Sequence, residues 1–368
     1  MEPDWAAIEA AGLFADAPDR DERRELLAWL VSQGFTFDEL VSAHARGDLI
    51  RAAGERHIRP GARAMTLAQL ADRLDCDVAV VRRIWRSLGA VDPGPDVLVA
   101  SEDDLDMVRI ALSWAEIFGE DTVFALVRRI GALLERASEA MSAAAIGAAP
   151  DISTLVSGSE VVTAKAYEAI ASLVPDIGRM LDLAFRHHIE GVRVLFEESG
   201  AGADGRPWLT LGVGFADLSG YTSTSLTLDL DELAALVGAF EARAAEVVAE
   251  HGGRVVKFVG DAALFVSSDP DALAEMATAL VQTATGTTTL PARVGLTYGT
   301  VVARDGDFFG PAVNLAARLV DVAQQQSVVI DEGLRAALDP TRWSSTALAP
   351  QSLRGIPEPV PVFGLRPA

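Results

Sequence analysis

The 368-residue chain reads as two architectures in series, an all-α domain followed by an α+β domain. Three observations predict this. Apolar residues recur at helical spacing from the N-terminus to about residue 198, and no convincing strand interrupts them. Ser199 to Pro207 then forms a glycine-rich break with the composition of a linker. From Trp208 onward, Leu, Val and Phe alternate with small residues, as they do in a strand. The expected boundaries are 1–198 for a helical domain, 199–207 for the linker and 208–368 for the second domain.

In the first domain, Asp21 to Gln33 places Leu26, Leu27, Leu30 and Val31 on one helical face. Phe37 to Arg56 is a second helical stretch with a break expected near Gly47. Thr66 to Gly89 reads as two short helices whose packing positions are Leu67, Leu70, Val78, Val81 and Trp85. Ser101 with Asp104 is a capping box ahead of the amphipathic run Val108 to Phe118. Further helices are expected over Val123 to Ala144 and Glu160 to Phe196, the latter divided by Pro175.

In the second domain, a strand over Trp208 to Ala216 is followed by a long helix, Asp229 to His251, ended by Gly252-Gly253. Arg254 to Phe258 and Ala262 to Val266 flank Val-Gly-Asp as a hairpin. A helix over Asp271 to Thr285, a strand over Ala292 to Ala303 and a helix over Pro311 to Gln324, with proline in its first turn, come next. Ser327 to Ile330 and Val360 to Leu365 read as strands, and Pro361 confines the second to a sheet edge. Strand, helix, hairpin, helix, strand is a ferredoxin-like α+β order with additions.

Composition limits the function. Half of the residues are apolar, enough for sizeable cores. The sequence carries no apolar run long enough for a membrane span and no signal-peptide pattern. The single cysteine, Cys76, cannot form an internal disulfide, which agrees with a reducing, cytoplasmic setting. The formal charge of -22 is shared by both halves, so neither attracts nucleic acid or an anionic membrane as a whole. A polyphosphate substrate would need local cations or metal ions.

Four segments of the second domain carry candidate chemistry. Phe215-Ala-Asp217-Leu218-Ser-Gly220-Tyr221-Thr222 puts a carboxylate at a strand end before a tight turn. That suits a divalent cation carrying phosphates, and it also suits a plain cap or turn. Lys257-Phe-Val-Gly-Asp261 puts an aspartate at a hairpin tip, where it is either a turn residue or the second half of a two-carboxylate metal site. Lys257 stands out because arginine supplies almost all other positive charge, Lys165 being the only other lysine. A compact ammonium donates in three directions, unlike a planar guanidinium. Asp305-Gly-Asp307 offers an acceptor for an exocyclic amine, or an ordinary hairpin turn. Asn314 and Arg318 stand four residues apart, on one face of a helix, with Leu315, Leu319 and Val322 on another. Arg318 can direct forked donors at charge developing on phosphorus.

Together these segments closely resemble the class III nucleotidyl cyclases over about residues 208–366, including the tail Leu353-Arg354-Gly-Ile-Pro-Glu-Pro-Val-Pro-Val-Phe. The resemblance implies that Asp217 and Asp261 hold two Mg²⁺ or Mn²⁺ ions, with the Leu218 carbonyl as a further ligand. It implies that Lys257 reads adenine N1 and Asp307 reads N6. Asn314 would orient the ribose, Arg318 would stabilise the pentacovalent phosphorus, and the backbone of Gly220, Tyr221 and Thr222 would hold the outer phosphates. Arg354 would contact the triphosphate, at a place where the family often has lysine. A guanylyl cyclase generally carries an acid and a small polar residue in place of the lysine–aspartate pair. The implied activity is therefore adenylate cyclase: ATP gives 3′,5′-cyclic AMP and pyrophosphate, in a homodimer whose two sites are each shared between subunits.

The order of helical domain then catalytic domain is similar to actinobacterial adenylyl cyclases with an autoinhibitory, pH-responsive N-terminal domain. A transmitting helix is then expected over about 178–198. It contains His187-His188, either a protonation switch or a solvated pair. Residues 66–89 resemble a helix-turn-helix. Arg73, Arg82, Arg83 and Arg86 favour DNA there, but the acidity of the remainder disfavours it, and a structural helix pair is the expectation.

Overall fold

The computed structural model describes residues 3–59, 61, 63–148, 159–198, 208–282 and 290–368. It divides into two compact units, Met1–Ala184 and Phe185–Ala368. The expected linker, 199–207, and the last residues of the helix expected to end at Thr285 lie outside the described residues.

The first unit begins with α1 (Trp5–Ala10), α2 (Arg20–Ser32), α3 (Phe37–Ala45) and α4 (Ala52–Ile58). The expected break falls between α3 and α4, where Gly47 takes φ +72°. Next come α5 (Leu67–Arg73), α6 (Val78–Ser87), α7 (Glu102–Phe118), α8 (Glu120–Ala148), α9 (Glu160–Ala171) and α10 (Val174–Glu198). The division between the units falls inside α10. Capping boxes start three of these helices: Thr36 with Glu39, Thr66 with Gln69, and the foreseen Ser101 with Asp104. Pro175 sits in the first turn of α10, where a missing N–H costs no helical hydrogen bond. Among the described residues the only strand-like pairing of this unit is the bridge Met65–Ala100.

Two apolar clusters hold the unit. Leu26, Leu27 and Leu30 of α2 pack with Leu40 and, from α9, Val161 and Ala164. Leu67, Leu70, Val81, Ile84 and Trp85 of the α5–α6 pair pack with Leu105, Val108 and Phe124. The four arginines of that pair face acids: Arg73 meets Glu102, Arg82 and Arg86 meet Asp92, and Arg83 meets Asp121. Arg23 is buried against Glu160, with Nε and Nη2 donating to its two carboxylate oxygens at 2.6 and 2.7 Å. That pair ties α2 to α9.

The second unit is built on a mixed sheet of β1 (Trp208–Leu218), β2 (Arg254–Val259), β3 (Ala262–Ser267), β4 (Ala292–Arg304), β5 (Asp307–Phe309), β6 (Val328–Asp331), β7 (Trp343–Ala347) and β8 (Val362–Pro367). The order is β2-β3-β1-β4-β6-β8-β7, with β5 folded back on β4. Its helices are α11 (Tyr221–Ser225), α12 (Leu230–Glu250), α13 (Pro270–Val281), α14 (Pro311–Val322) and α15 (Glu332–Ala337). Phe240 and Val247 of α12 and Leu273 and Met276 of α13 join Phe265, Val294 and Leu296 on one side of the sheet. Ala316 of α14 joins Leu209, Leu211 and Val213 on the other. Gly212 and Gly214 fall on the α13 side of β1, where an added Cβ would meet Leu273 at 2.7 Å and the Phe265 ring at 2.3 Å.

One expectation is corrected. The C-terminal strand is not at the edge, because β8 lies between β6 and β7. Pro361 stops just short of the ladder, so its missing N–H removes no pairing. The outer strand is β7, whose Trp-Ser-Ser-Thr-Ala sequence buries only Trp343 and shows no alternation. The short α15, capped by Asp331, was also not foreseen.

Candidate active site

Asp217 lies at the end of the central strand β1, so its surroundings follow from pairing on both sides. It stands opposite Ala262 of β3 and Arg293 of β4. Arg293 donates to Asp217 Oδ2 from Nε at 2.8 Å and from Nη2 at 2.6 Å. The backbone then turns sharply: Leu218 N–H donates to the Asp261 carbonyl at 3.2 Å, Ser219 N–H donates to the Pro291 carbonyl, and Gly220 takes φ +83°. The first of these bonds brings the hairpin tip of β2 and β3 beside the end of β1.

Burial pushes the Asp217 carboxyl above its ordinary value, Asp261 pushes it further, and Arg293 pulls against both. The two carboxylates therefore sense each other where water screens them poorly. Two acids held in this way suit a divalent cation. Among the described residues no group of three or more His, Cys, Asp or Glu gathers as a metal site. A cation on Asp217 and Asp261 would thus depend on backbone carbonyl and phosphate oxygens to complete its shell.

These residues line an open cleft of about 840 Å³. Leu218, Gly220, Tyr221, Thr222, Lys257 and Arg318 line it as well. Arg318 also approaches Asp321 at 3.8 Å. Its helix, α14, is seated by two contacts with β4: Thr297 Oγ1 donates to the Ala312 carbonyl at 3.0 Å, and Gly295 lets the α14 backbone lie directly on the strand.

Lys257 Nζ donates to Asp307 Oδ2, and Asp307 Oδ1 accepts from Phe308 N–H at 2.8 Å. The structure thus brings together Asp217, Leu218, Asp261, Lys257, Arg318 and the Gly220–Thr222 backbone, with Asp307 joined through Lys257. Asn314 is exposed one turn before Arg318, and Arg354 is exposed in the turn after Leu353. Neither lines this cleft. Arg293 was missed from sequence. Its signal is long-range, since only the β1–β4 register sets it opposite Asp217.

Crowded acids beside Arg318 fit chemistry on a nucleoside polyphosphate, and the family models name the class. Residues 207–365 match the adenylate and guanylate cyclase catalytic domain, and residues 8–189 match the adenylate cyclase regulatory domain. An uncharacterized protein of Mycobacterium tuberculosis (strain ATCC 25618 / H37Rv) is 39% identical over 98% of this chain and 94% of its own length. A pH-sensitive adenylate cyclase of Mycobacterium tuberculosis (strain CDC 1551 / Oshkosh) is 30% identical over 94% of this chain and 88% of its own. An adenylate cyclase of Streptomyces coelicolor is 32% identical over 76% and 73%. The adenylyl cyclase CyaB of P. aeruginosa, a solved structure, aligns over 43% of this chain and 94% of its own, with 22% identity and a TM-score of 0.37. The chain belongs to the adenylate cyclase family, and its enzymatic half is a class III cyclase catalytic domain. No helix among the described residues is long and apolar enough to cross a membrane.

Proposed function

We propose that the protein converts ATP to 3′,5′-cyclic AMP and pyrophosphate at sites shared between two copies of the chain in the cytoplasm, under control of residues 1–198. The observation that carries this reading is the crowding of Asp217 against Asp261 at the end of β1, in an open cleft. Asp217, Asp261 and the Leu218 carbonyl would hold two Mg²⁺ or Mn²⁺ ions, which supply charge neutralisation at the phosphates when bound. Lys257 donates to adenine N1 and Asp307 accepts from the 6-amino group. Guanine presents the opposite pattern at those two edges, which supports ATP over GTP.

In the reaction the ribose 3′-oxygen forms a bond to the α-phosphorus as the bond from that phosphorus to the bridging oxygen of the β-phosphate breaks. The hydroxyl proton leaves to solvent. Asn314 orients the ribose, and Arg318 offers forked donors to the charge growing on the α-phosphoryl oxygens. The N–H groups of Gly220 to Thr222 would hold the outer phosphates, with Arg354 as a further cation.

In this scheme one copy supplies Asp217 and Asp261, and the other supplies Lys257, Asp307, Asn314 and Arg318. The experiment is complementation. Asp217→Ala and Arg318→Ala, each inactive alone, should regain partial cyclic AMP formation when mixed. Recovery of none, with heterodimers demonstrated, would count against shared sites.

Control by the first half is supported by the regulatory-domain match. The proposed layout is a regulatory domain over 1–198, with 178–198 as transmitting helix, a linker over 199–207 and a catalytic domain over 208–368. If the pH–activity profile of residues 200–368 coincided in shape and height with that of the whole chain, that control would be ruled out.

A further inference from the structure

The pairing of Lys257 with Asp307 depends on two local irregularities, and one arginine touches the structure around both. Along β2, Arg254 pairs with Val266 and Val255 with Phe265, but Lys257 pairs with Leu264. The register shift is a bulge at Val256. In an unbroken strand, residues three apart point to opposite faces. Here Arg254 and Lys257 oppose residues two apart on β3, so the bulge sets both on the same face. That is the face where Leu264 and Val266 pack with Phe308.

The second irregularity is the β4–β5 turn. Arg304 pairs with Asp307, and between them Asp305 and Gly306 take φ +62° and +80°. Two consecutive positive φ angles make the tight hairpin turn whose twist matches paired strands. Asp305 accepts this conformation more readily than most side chains would. The last peptide of the turn, from the Gly306 carbonyl to the Asp307 nitrogen, sets the direction in which the Asp307 carboxylate leaves the backbone.

Arg254 Nη2 donates to the Gly306 carbonyl at 3.1 Å. Its guanidinium carbon lies 5.7 Å from the centre of the Phe308 ring, the residue after Asp307. Among the described residues Arg254 makes no ion pair, and burial pulls its pKa down from the ordinary arginine value. A half-buried cation without an acid partner is costly to keep. Here one donor, Nη2, and the ring contact go to the two residues flanking Asp307.

We infer that Arg254 is a positioning residue for base selection: it clamps Gly306 and Phe308 so that the Asp307 carboxylate meets the 6-amino group of adenine alongside Lys257. The inference rests on the proposed reading of Lys257 and Asp307 as the base-recognising pair. Arg254 itself touches neither the base nor the phosphates.

The test uses ATP and its analogue lacking the 6-amino group, purine riboside triphosphate, with the full chain. Wild-type enzyme should prefer ATP in kcat/KM by roughly tenfold or more, the value of one hydrogen bond to a charged acceptor. Arg254→Ala should lose most of that preference through KM for ATP, with kcat held within about threefold. Arg254→Lys, which keeps a donor for Gly306 but not the planar face for Phe308, should retain part of it. A preference ratio belongs to the folded fraction alone, so loss of stability does not imitate the effect. If Arg254→Ala proves inactive, Arg254→Lys and Arg254→Gln carry the same comparison.

Asp307→Ala separates the two ideas. If it abolishes the preference while the Arg254 variants keep it, the positioning role is wrong and the base-reading pair stands. If Asp307→Ala itself keeps the preference, the base-reading assignment falls. In the Asp307→Ala background, Arg254→Ala should change the ratio no further, and an additional loss would overturn action through Asp307.

Discussion

Gly295→Ala tests whether the seat of α14 on β4 sets the reaction geometry. A Cβ at Gly295 would lie 2.3 Å from the Val320 nitrogen, 2.7 Å from the Ala316 carbonyl oxygen and 2.8 Å from the Leu319 carbonyl carbon, where ordinary contact begins at 3.4 Å. All three neighbours are helix backbone, so no side chain can swing aside. The helix must retreat by roughly 1 Å, and Asn314 and Arg318 move with it. A misplacement of that size costs on the order of 100-fold in rate. Overpacking costs about 1–3 kcal/mol. For a unit of this size each kcal/mol lowers Tm by about 2–4 °C. The expected variant is folded, melts some degrees lower and has kcat reduced about 100-fold, as measured by cyclic AMP formation at saturating ATP and metal. Gly299→Ala is the control. It lies on the same strand, and its added Cβ meets only the Ala312 Cβ at 3.4 Å, so kcat should stay within about twofold. If Gly295→Ala keeps kcat within about threefold of wild type while melting lower, the helix seat does not set the catalytic geometry.

Three further outcomes are expected. Lys257→Glu with Asp307→Cys reverses the donor and acceptor pattern, so ATP cyclisation should be lost while metal binding persists; unchanged ATP turnover would remove these residues from base recognition. Burial and Asp261 hold the Asp217 carboxyl above 3.8, so the folded state favours its protonated form. The associated stabilisation is present below 3.8 and is lost as pH rises through the raised value. In chelator, Asp217→Asn should therefore melt higher than wild type near pH 7.5, with the gap closing towards pH 4, while activity vanishes. A lower melting point at pH 7.5 would contradict the crowding. In the first unit, Arg23→Ala strands the buried Glu160 carboxylate and should cost about 3–5 kcal/mol, whereas Arg23→Met with Glu160→Leu should restore most of it; equal melting of the two variants would show that the ion pair is not what matters there.

How much could be read from sequence depended on how local each feature is. The strands β1, β3 and β4 and the helices α12 and α14 announce themselves by period and by end signals such as Asp229 with Glu232 and Pro311. The capping box at Ser101 and the break at Gly47 were equally plain, because each is decided within a few residues. β7 was not legible, since four of its five residues are exposed and a strand that buries one face barely has no alternation to show. The interior rank of β8 is not legible, because Pro361 lies just outside the ladder and says nothing about the pairing beside it.

The candidate site divides along the same line. Asp217, Asp261 and Arg318 could be named from their segments, yet the arginine that holds Asp217 could not. Arg293 matters only because β4 runs antiparallel to β1 in the register that sets it opposite Asp217; a shift of one residue would turn it to the other face. Lys257 makes the same point more sharply. Its identity was conspicuous in the sequence, but an unbroken β2 would carry it on the face opposite Arg254, towards Phe265 and the α12–α13 side. One extra residue at Val256 turns it instead to the face where Asp307 waits. Base selection would then rest on the number of residues between Arg254 and Lys257 as much as on the two side chains. Deleting Val256 straightens β2 but leaves Lys257 two residues after Arg254, opposite Leu264 and on the Asp307 face. The preference for ATP should therefore survive the deletion, and its loss would show that the bulge does more than choose the face.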